Sequence, residues 1–207
     1  GEFVSKLDPV EDKDILEKCK DLESRVVEEL LQLPNRLTKY SILTKFDCWM
    51  NNTMVLFEDE KKIQAKDIML IDWQCITRAS PVHDIGNIFY TTASKASIDN
   101  YKHYMQVYHD ELSHRIKELG SNPDIVYPYS VFENEWIYYG FYCFGFSVAA
   151  MRGLLARPES APDFSERINT NNKEMLYSTF SDIPDNVDEW ISRGRYLARH
   201  FISLGVL

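Results

Sequence analysis

Between residues 14 and 33, Ile15, Leu16, Cys19, Leu22, Val26, Leu30 and Leu33 recur every three or four positions, with charged residues between them. That spacing predicts a helix with one face turned to a core. Asp12 or Asp14 suits its start, and Pro34 its stop. The pattern then shortens. Residues 40–43, 54–57 and 68–71 are brief apolar runs separated by a polar loop and a charged turn at 58–62. They predict three short strands in one compact sheet, the third buried because it is apolar throughout. From residue 84 onward the period is helical again. Helices are expected over 84–94, over 97–119 with Ser97 at the start and Gly120 at the end, and from a Ser130/Glu133 capping box to about residue 156. The last of these is apolar nearly all round and belongs in a core. Residues 157–165, with Pro158 and Pro162, read as a loop. A shorter helix is expected over 166–180. A terminal helix over 187–204 turns Trp190, Ile191, Leu197 and Phe201 inward. The fold class is therefore α+β, mostly helical, with a small sheet whose polar ends meet at one cleft. No internal repeat interrupts this order.

Composition narrows the function. The chain has 207 residues, 44% hydrophobic and 27% charged, an ordinary globular balance that allows one substantial domain. No apolar run approaches the roughly 20 residues that span a bilayer. The start is acidic and lacks the apolar stretch of a signal peptide. Residues 1–3 resemble a cloning scar, so 1–11 are read as a tag or disordered start and 12–207 as the domain. A net charge of -9 without a Lys/Arg block excludes a nucleic-acid surface, which has to neutralise phosphates. Cys19, Cys48, Cys75 and Cys143 form no CxxC pair, and they read as free thiols in a reducing compartment, the cytoplasm.

The stretch with the most chemical content is FDCWMNNT, residues 46–53, together with the aspartate that follows the third apolar run. Asp47 lies five residues before Asn52, and Asp72 closes LID at 70–72. Phosphoryl transfer asks for a positioned nucleophile, metal on the phosphates and neutralised charge. A carboxylate at Asp47 can take the proton of an accepting hydroxyl. An amide oxygen at Asn52 and a carboxylate at Asp72 suit magnesium, which prefers hard oxygen ligands. Alone, an Asp and Asn at this spacing are as well explained by side-chain-to-backbone turns. Cys48 lies beside Asp47, but no histidine near it in sequence would activate a thiol.

The loop resembles that of the ecdysteroid kinase-like family, within the choline kinase and aminoglycoside phosphotransferase superfamily, which shares the protein kinase-like fold. The family's H-G-D-x-W-x-N-N-x-(M/L) corresponds here to Lys45-Phe46-Asp47-Cys48-Trp49-Met50-Asn51-Asn52-Thr53-Met54. Its (L/I)-I-D-(F/W)-Q corresponds to Leu70-Ile71-Asp72-Trp73-Gln74, and its small-Pro-x-x-Asp element to Ser80-Pro81-Val82-His83-Asp84. The resemblance implies Asp47 as catalytic base, Asn52 and Asp72 as ligands of Mg2+, and Asp84 as the carboxylate that braces the loop. It implies ATP as co-substrate and a small-molecule alcohol, steroid-like, as acceptor. Lys45, Trp49, Asn51 and Gln74 are candidate substrate or phosphate contacts. His83 reads as a structural histidine.

Two departures bear on activity. The family's His-Gly is Lys45-Phe46, and phenylalanine reaches glycine's backbone angles only with strain. The glycine-rich, β-rich lobe that covers the phosphates of a complete kinase is not recognisable, so the chain is expected to be the C-terminal lobe alone. The leading expectation is the larger lobe of an ATP-dependent small-molecule kinase, inactive or nearly so by itself. The alternative is an impaired pseudokinase or a ligand- or partner-binding module. Apolar surface left by a missing lobe would favour a homodimer.

Overall fold

The computed structural model describes residues 2–32, 35–157, 159 and 186–207. It is mostly helical, with two small sheets. Helix α1 (Glu2–Ser5) precedes α2 (Lys13–Lys18) and α3 (Leu22–Gln32). Strands β1 (Ile42–Thr44), β2 (Thr53–Phe57), β3 (Ala65–Leu70) and β4 (Thr77–Ala79) follow. Then come α4 (Val82–Thr92), α5 (Lys95–Asp99), α6 (Tyr101–Glu118), α7 (Pro123–Val126), α8 (Tyr129–Tyr138), α9 (Gly140–Leu154) and α10 (Val187–Ser203). The helix expected over 166–180 and most of the loop expected over 157–165 lie outside the described residues. Among the described residues, no helix is long and apolar enough to cross a membrane.

The core gathers around α9. Helices α4 and α10 pack on it from two sides, and α3 from a third. Tyr90 (α4), Phe132 and Trp136 (α8), Phe144 (α9) and Phe201 (α10) are buried together, their rings mostly edge-on or tilted. Burying aromatic area on this scale is the main source of stability for a fold with so little sheet. The polar tips are paired. Trp136 Nε1 donates to Tyr90 Oη at 2.8 Å, and Trp190 Nε1 donates to the Val148 carbonyl at 2.7 Å.

The opening residues are not a disordered start. Phe3 is buried between Phe144 and Trp190, where only glycine at 194 leaves it room. Leu7 and Ile15 join the same core. Asp12, 1% exposed, accepts from Arg195 Nε at 2.7 Å and Arg199 Nη2 at 3.1 Å. Phe3 supplies enough buried area to order a four-residue helix that propensity alone would not hold.

Other expectations also needed correction. The helix predicted over 14–33 is two helices. Asp21, at φ 57°, takes the left-handed turn between them. The helix over 97–119 breaks at Asn100, and its first part is capped by Ser94, whose Oγ accepts from Ser97 N. The long apolar helix breaks at Tyr139, and its start at Tyr129 carries no side-chain cap from Ser130. The third strand is not buried. Ile68 and Met69 are more than half exposed. Nor is there one sheet. β1 pairs antiparallel with β4 (Ile42↔Ala79, Thr44↔Thr77), and β2 with β3 (Thr53↔Leu70, Phe57↔Ala65). β4 was missed because Thr77-Arg78-Ala79 has neither an apolar run nor a clean alternation.

Candidate active site

The nested pairing explains how residues far apart in sequence meet. β1 pairs with β4 and β2 with β3, so the connections 45–52 and 71–76 both bridge the same two sheets and run side by side. A backbone bond ties them, with Ile71 N donating to Asn52 O at 3.0 Å. Asn52 thus accepts this bond, and Asp72 follows its donor by one residue. The Cys75 thiol reports the same closeness. Burial pushes its pKa up, and the negative charges of both Asp47 and Asp72 add to that.

The loop is held mainly through its backbone. Asp84, in the first turn of α4, accepts from Lys45 N and Phe46 N at 2.7 Å each, one bond per oxygen. Burial raises the Asp84 pKa, and the two N–H groups and the Lys45 charge pull against that rise. Phe46 sits in the left-handed region at φ 68°. For a residue with a Cβ this costs about 1–2 kcal/mol. Its ring is stacked on Tyr142 at 5.9 Å and lies 6.0 Å from His83, which offsets the strain by packing. Lys45 is 1% exposed, and its Nζ donates to the Asp47 carbonyl at 2.6 Å. It therefore works beneath the loop as a clamp and cannot reach a phosphate at the surface.

Asp47 Oδ2 accepts from Asn52 Nδ2 at 2.7 Å, and the same nitrogen lies 3.0 Å from Asp47 O. Committing the amide nitrogen to Asp47 turns Asn52 Oδ1 away from that carboxylate. Asp72, also left-handed at φ 60°, is exposed, and its Oδ2 accepts a long bond of 3.4 Å from Gln74 Nε2. One amide oxygen and one exposed carboxylate are hard donors of the kind Mg2+ takes while keeping several waters. The residues present fit that ion. Among the described residues, no group of three or more His, Cys, Asp or Glu could hold a metal ion.

The remaining candidates divide. Asn51 and Gln74 are exposed beside the two connections. Trp49 is half-buried, and its Nε1 has no hydrogen-bond partner among the described residues. It does not line the cavity described below. Cys48 is buried, and burial pushes its thiol up to about 11, with Asp84 adding to the rise. A thiol protonated at neutral pH is no nucleophile. His83 is 1% exposed and lies against Ser80 O through Nδ1 at 3.0 Å. Burial lowers its pKa to about 4, so it stays neutral and structural.

Beside Asp47 opens an apolar cavity of about 380 Å³. Asp47, Phe46 and Cys75 form part of its wall. The rest comes from α1, α3, α9 and α10, including Val26, Phe146 and Trp190. That volume is in the range of small-molecule sites. From the sequence, the aromatic stretch 136–146 reads more readily as core than as the wall of an apolar pocket; Tyr142 and Phe146 do line this cavity, but the other helices that build it are distant in sequence and give no local signal. Sequence reasoning missed Arg152, which lines the cavity and is the single charged residue in α9. A lone arginine in an apolar helix was the available signal. Glu135 was missed as well. Buried, it accepts from Ser80 Oγ at 2.6 Å and Tyr127 Oη at 2.7 Å, which fixes the turn that leads into α4 and Asp84.

No curated protein and no solved structure matches the chain at a significant level. The sequence model of one family does match, over residues 2–121, which takes in both connections, Asp84 and the buried Phe3. A kinase-like family implies use of ATP and Mg2+ in general terms. The match covers more than half of the chain, so the chain belongs to the ecdysteroid kinase-like family.

Proposed function

We propose that the chain is the larger, C-terminal lobe of a cytoplasmic two-lobed kinase that phosphorylates a hydroxyl group of an apolar, steroid-like alcohol. The observation that carries this reading is the apolar cavity with the Asp47 carboxylate in its wall. An apolar acceptor in that cavity would bring a hydroxyl to a carboxylate held by Asn52. Asp47 takes the hydroxyl proton as the oxygen attacks, a role worth about 10²–10⁴ in rate. Asp84, through the Lys45 and Phe46 N–H groups, keeps the carboxylate aimed into the cavity. Asn52 and Asp72 would hold Mg2+. Magnesium ATP, when bound, supplies the phosphoryl group and neutralises its charge. Lys45, buried under the loop, fixes the backbone of Asp47.

The β2–β3 hairpin supports a second lobe. Met54, Leu56 and Met69 leave apolar side chains more than half exposed, and Met54 pairs across the hairpin with Met69, three residues before Asp72. A covering lobe would remove them from water and close the phosphate side of the cleft. Without such a lobe, the same surface favours a homodimer.

The test is phosphate transfer from ATP to apolar alcohols by the intact two-lobed protein with magnesium, against Asp47→Ala and Asp72→Ala. Loss of at least a hundredfold in both variants is expected. Equal activity in all three proteins overturns the assignment. A pseudokinase or binding module is the second reading, favoured by Phe46 at φ 68° where the family has glycine. It predicts no transfer, together with thermal stabilisation by an apolar alcohol that Asp47→Ala leaves intact.

A further inference from the structure

A second cavity, of about 460 Å³, opens at the C-terminal end of α10, between that helix, α5 and the start of α6. It shares no residue with the cavity beside Asp47. His200 lines it, and His200 ends a hydrogen-bond chain that starts in the core. Trp136 Nε1 donates to Tyr90 Oη at 2.8 Å, and Tyr90 Oη lies 2.9 Å from His200 Nε2. Tyr90 is 2% exposed and already accepts from Trp136, so its own hydrogen goes to His200 Nε2. The proton of the neutral imidazole is therefore on Nδ1. That N–H has no partner among the described residues, and it is not sealed from solvent. Burial lowers the His200 pKa to about 4, so at pH 7 the ring is a neutral donor of fixed direction.

The groups around this donor also donate. Tyr101 stands edge-on to the His200 ring, with centroids 4.9 Å apart. The hydroxyls of Tyr101 and Tyr196 have no partner among the described residues, and burial raises the pKa of both, so both keep their protons. Lys95 gives one of its three hydrogens to Asp99 Oδ2 at 2.6 Å. Arg199 commits Nη2 to Asp12 Oδ1 and Glu11 O, and its Nε lies 3.5 Å from Asp14 Oδ2, which leaves Nη1. Among the described residues, Asp99 is the one carboxylate of the lining, and it accepts from Lys95. The lining thus presents donors from two cations, two phenols and an imidazole, and a ligand has to bring the acceptors. The volume is that of a site for a small organic molecule, larger than a bare ion needs.

We infer that this cavity is a second binding site, for a small organic oxyanion (a carboxylate or a phosphate monoester) that accepts from His200 Nδ1–H and pairs with Lys95 and Arg199. The site stands apart from Asp47, and neither reading needs the other. Lys95 and Arg199 supply charge at the rim, where their side chains are 64% and 47% exposed. The imidazole supplies direction, because Trp136 and Tyr90 have set its tautomer from within the core. The ligand therefore meets a donor that is already oriented, which lowers the cost of binding.

Nitrogen NMR of the imidazoles in the full chain at pH 7 tests this, with benzoate, phenyl phosphate and the neutral benzamide as probes. His200→Gln assigns the resonance, and if that variant does not fold, the contact of the ring with Tyr101 assigns it instead. Without a probe, His200 should carry its proton on Nδ1. Benzoate or phenyl phosphate should shift the Nδ1 signal to saturation, and the tighter of the two names the anionic group. Benzamide should bind about tenfold more weakly, the effect of losing a hydrogen bond to a charged partner. Lys95→Met should weaken the better anion about threefold and leave the tautomer unchanged. A probe bound only beside Asp47 would leave His200 unmoved. A proton on Nε2 overturns the inference at its root. So does the lack of a saturable shift with both anions, or benzamide binding as tightly as they do. Unchanged affinity in Lys95→Met overturns the role of Lys95.

Discussion

The two connections that meet at the cleft are held in opposite ways. Residues 45–52 are locked from below. Asp84 takes two of their N–H groups, Lys45 is buried under Asp47, and the Phe46 ring is packed on Tyr142. Residues 71–76 hang from the β2–β3 hairpin, whose apolar side chains face outward, and Asp72 has one long bond to Gln74. The side that carries Asp47, the proposed base, is therefore organised by the domain itself. The side that carries Asp72, the proposed metal ligand, is held by far fewer contacts. This division suits a two-substrate reaction, in which a fixed carboxylate waits while the phosphate side opens and closes.

The contrast can be broken most sharply at its two aspartates. Asp84→Ala strands two backbone N–H groups and should cost about 3 kcal/mol in urea unfolding. Asp72→Ala, and Met69→Lys on the hairpin, should each change stability by no more than about 0.5 kcal/mol. Similar losses at Asp84 and Asp72 would mean that the two sides are equally braced.

Acid probes His83, beneath the locked connection, together with His200 on α10. Burial lowers His83 and also His200 to about 4. Below the ordinary histidine pKa near 6.5, the unfolded chain takes up protons that the folded chain refuses. The stability they confer is therefore complete above about pH 6.5 and is lost as pH falls toward 4, by a few kcal/mol in total. Asp84, with its pKa raised, acts with the opposite sign and offsets part of the loss at the acid end. Urea midpoints at pH 7 and pH 5 should differ clearly, and equal midpoints would show that neither histidine is buried neutral. The smallest effect isolates the backbone at Phe46. Both Phe46→Ala and Phe46→Gly lose the stacking, but glycine escapes the left-handed strain and should be the more stable of the pair by about 1 kcal/mol. Alanine as stable as glycine would remove the strain from the account.

How much was legible beforehand follows the same division. The terminal helix was placed within a residue, since Trp190, Ile191, Leu197 and Phe201 repeat at helical spacing and all four are buried. Asp47, Asn52 and Asp72 could be grouped by their motifs, but the nested pairing that runs their connections side by side could not be read, because β4 carries no strand pattern. The exposed third strand could not be foreseen. Ile68 and Met69 record that a surface is apolar, but not what covers it. The partners of Arg152 and Glu135, and the closure of the cavity, were out of reach for another reason. Each depends on how separate helices close on one another, which no local pattern encodes. The dismissal of Glu2 and Phe3 failed in the same way, since what seats Phe3 is Trp190 and the bare backbone of Gly194, more than 180 residues away.

Phe46 also has a history in it. A phenylalanine in a left-handed turn is tolerable here because Tyr142 and His83 have closed around its ring. Once such neighbours have settled, returning to glycine opens a hole, although glycine is the residue that the backbone prefers. Backbone and packing therefore pull in opposite directions at this position, the first toward glycine and the second toward an aromatic ring. Descendants of this sequence should keep an aromatic residue there, held by the accommodation of its neighbours, even in lineages where the reaction has lapsed.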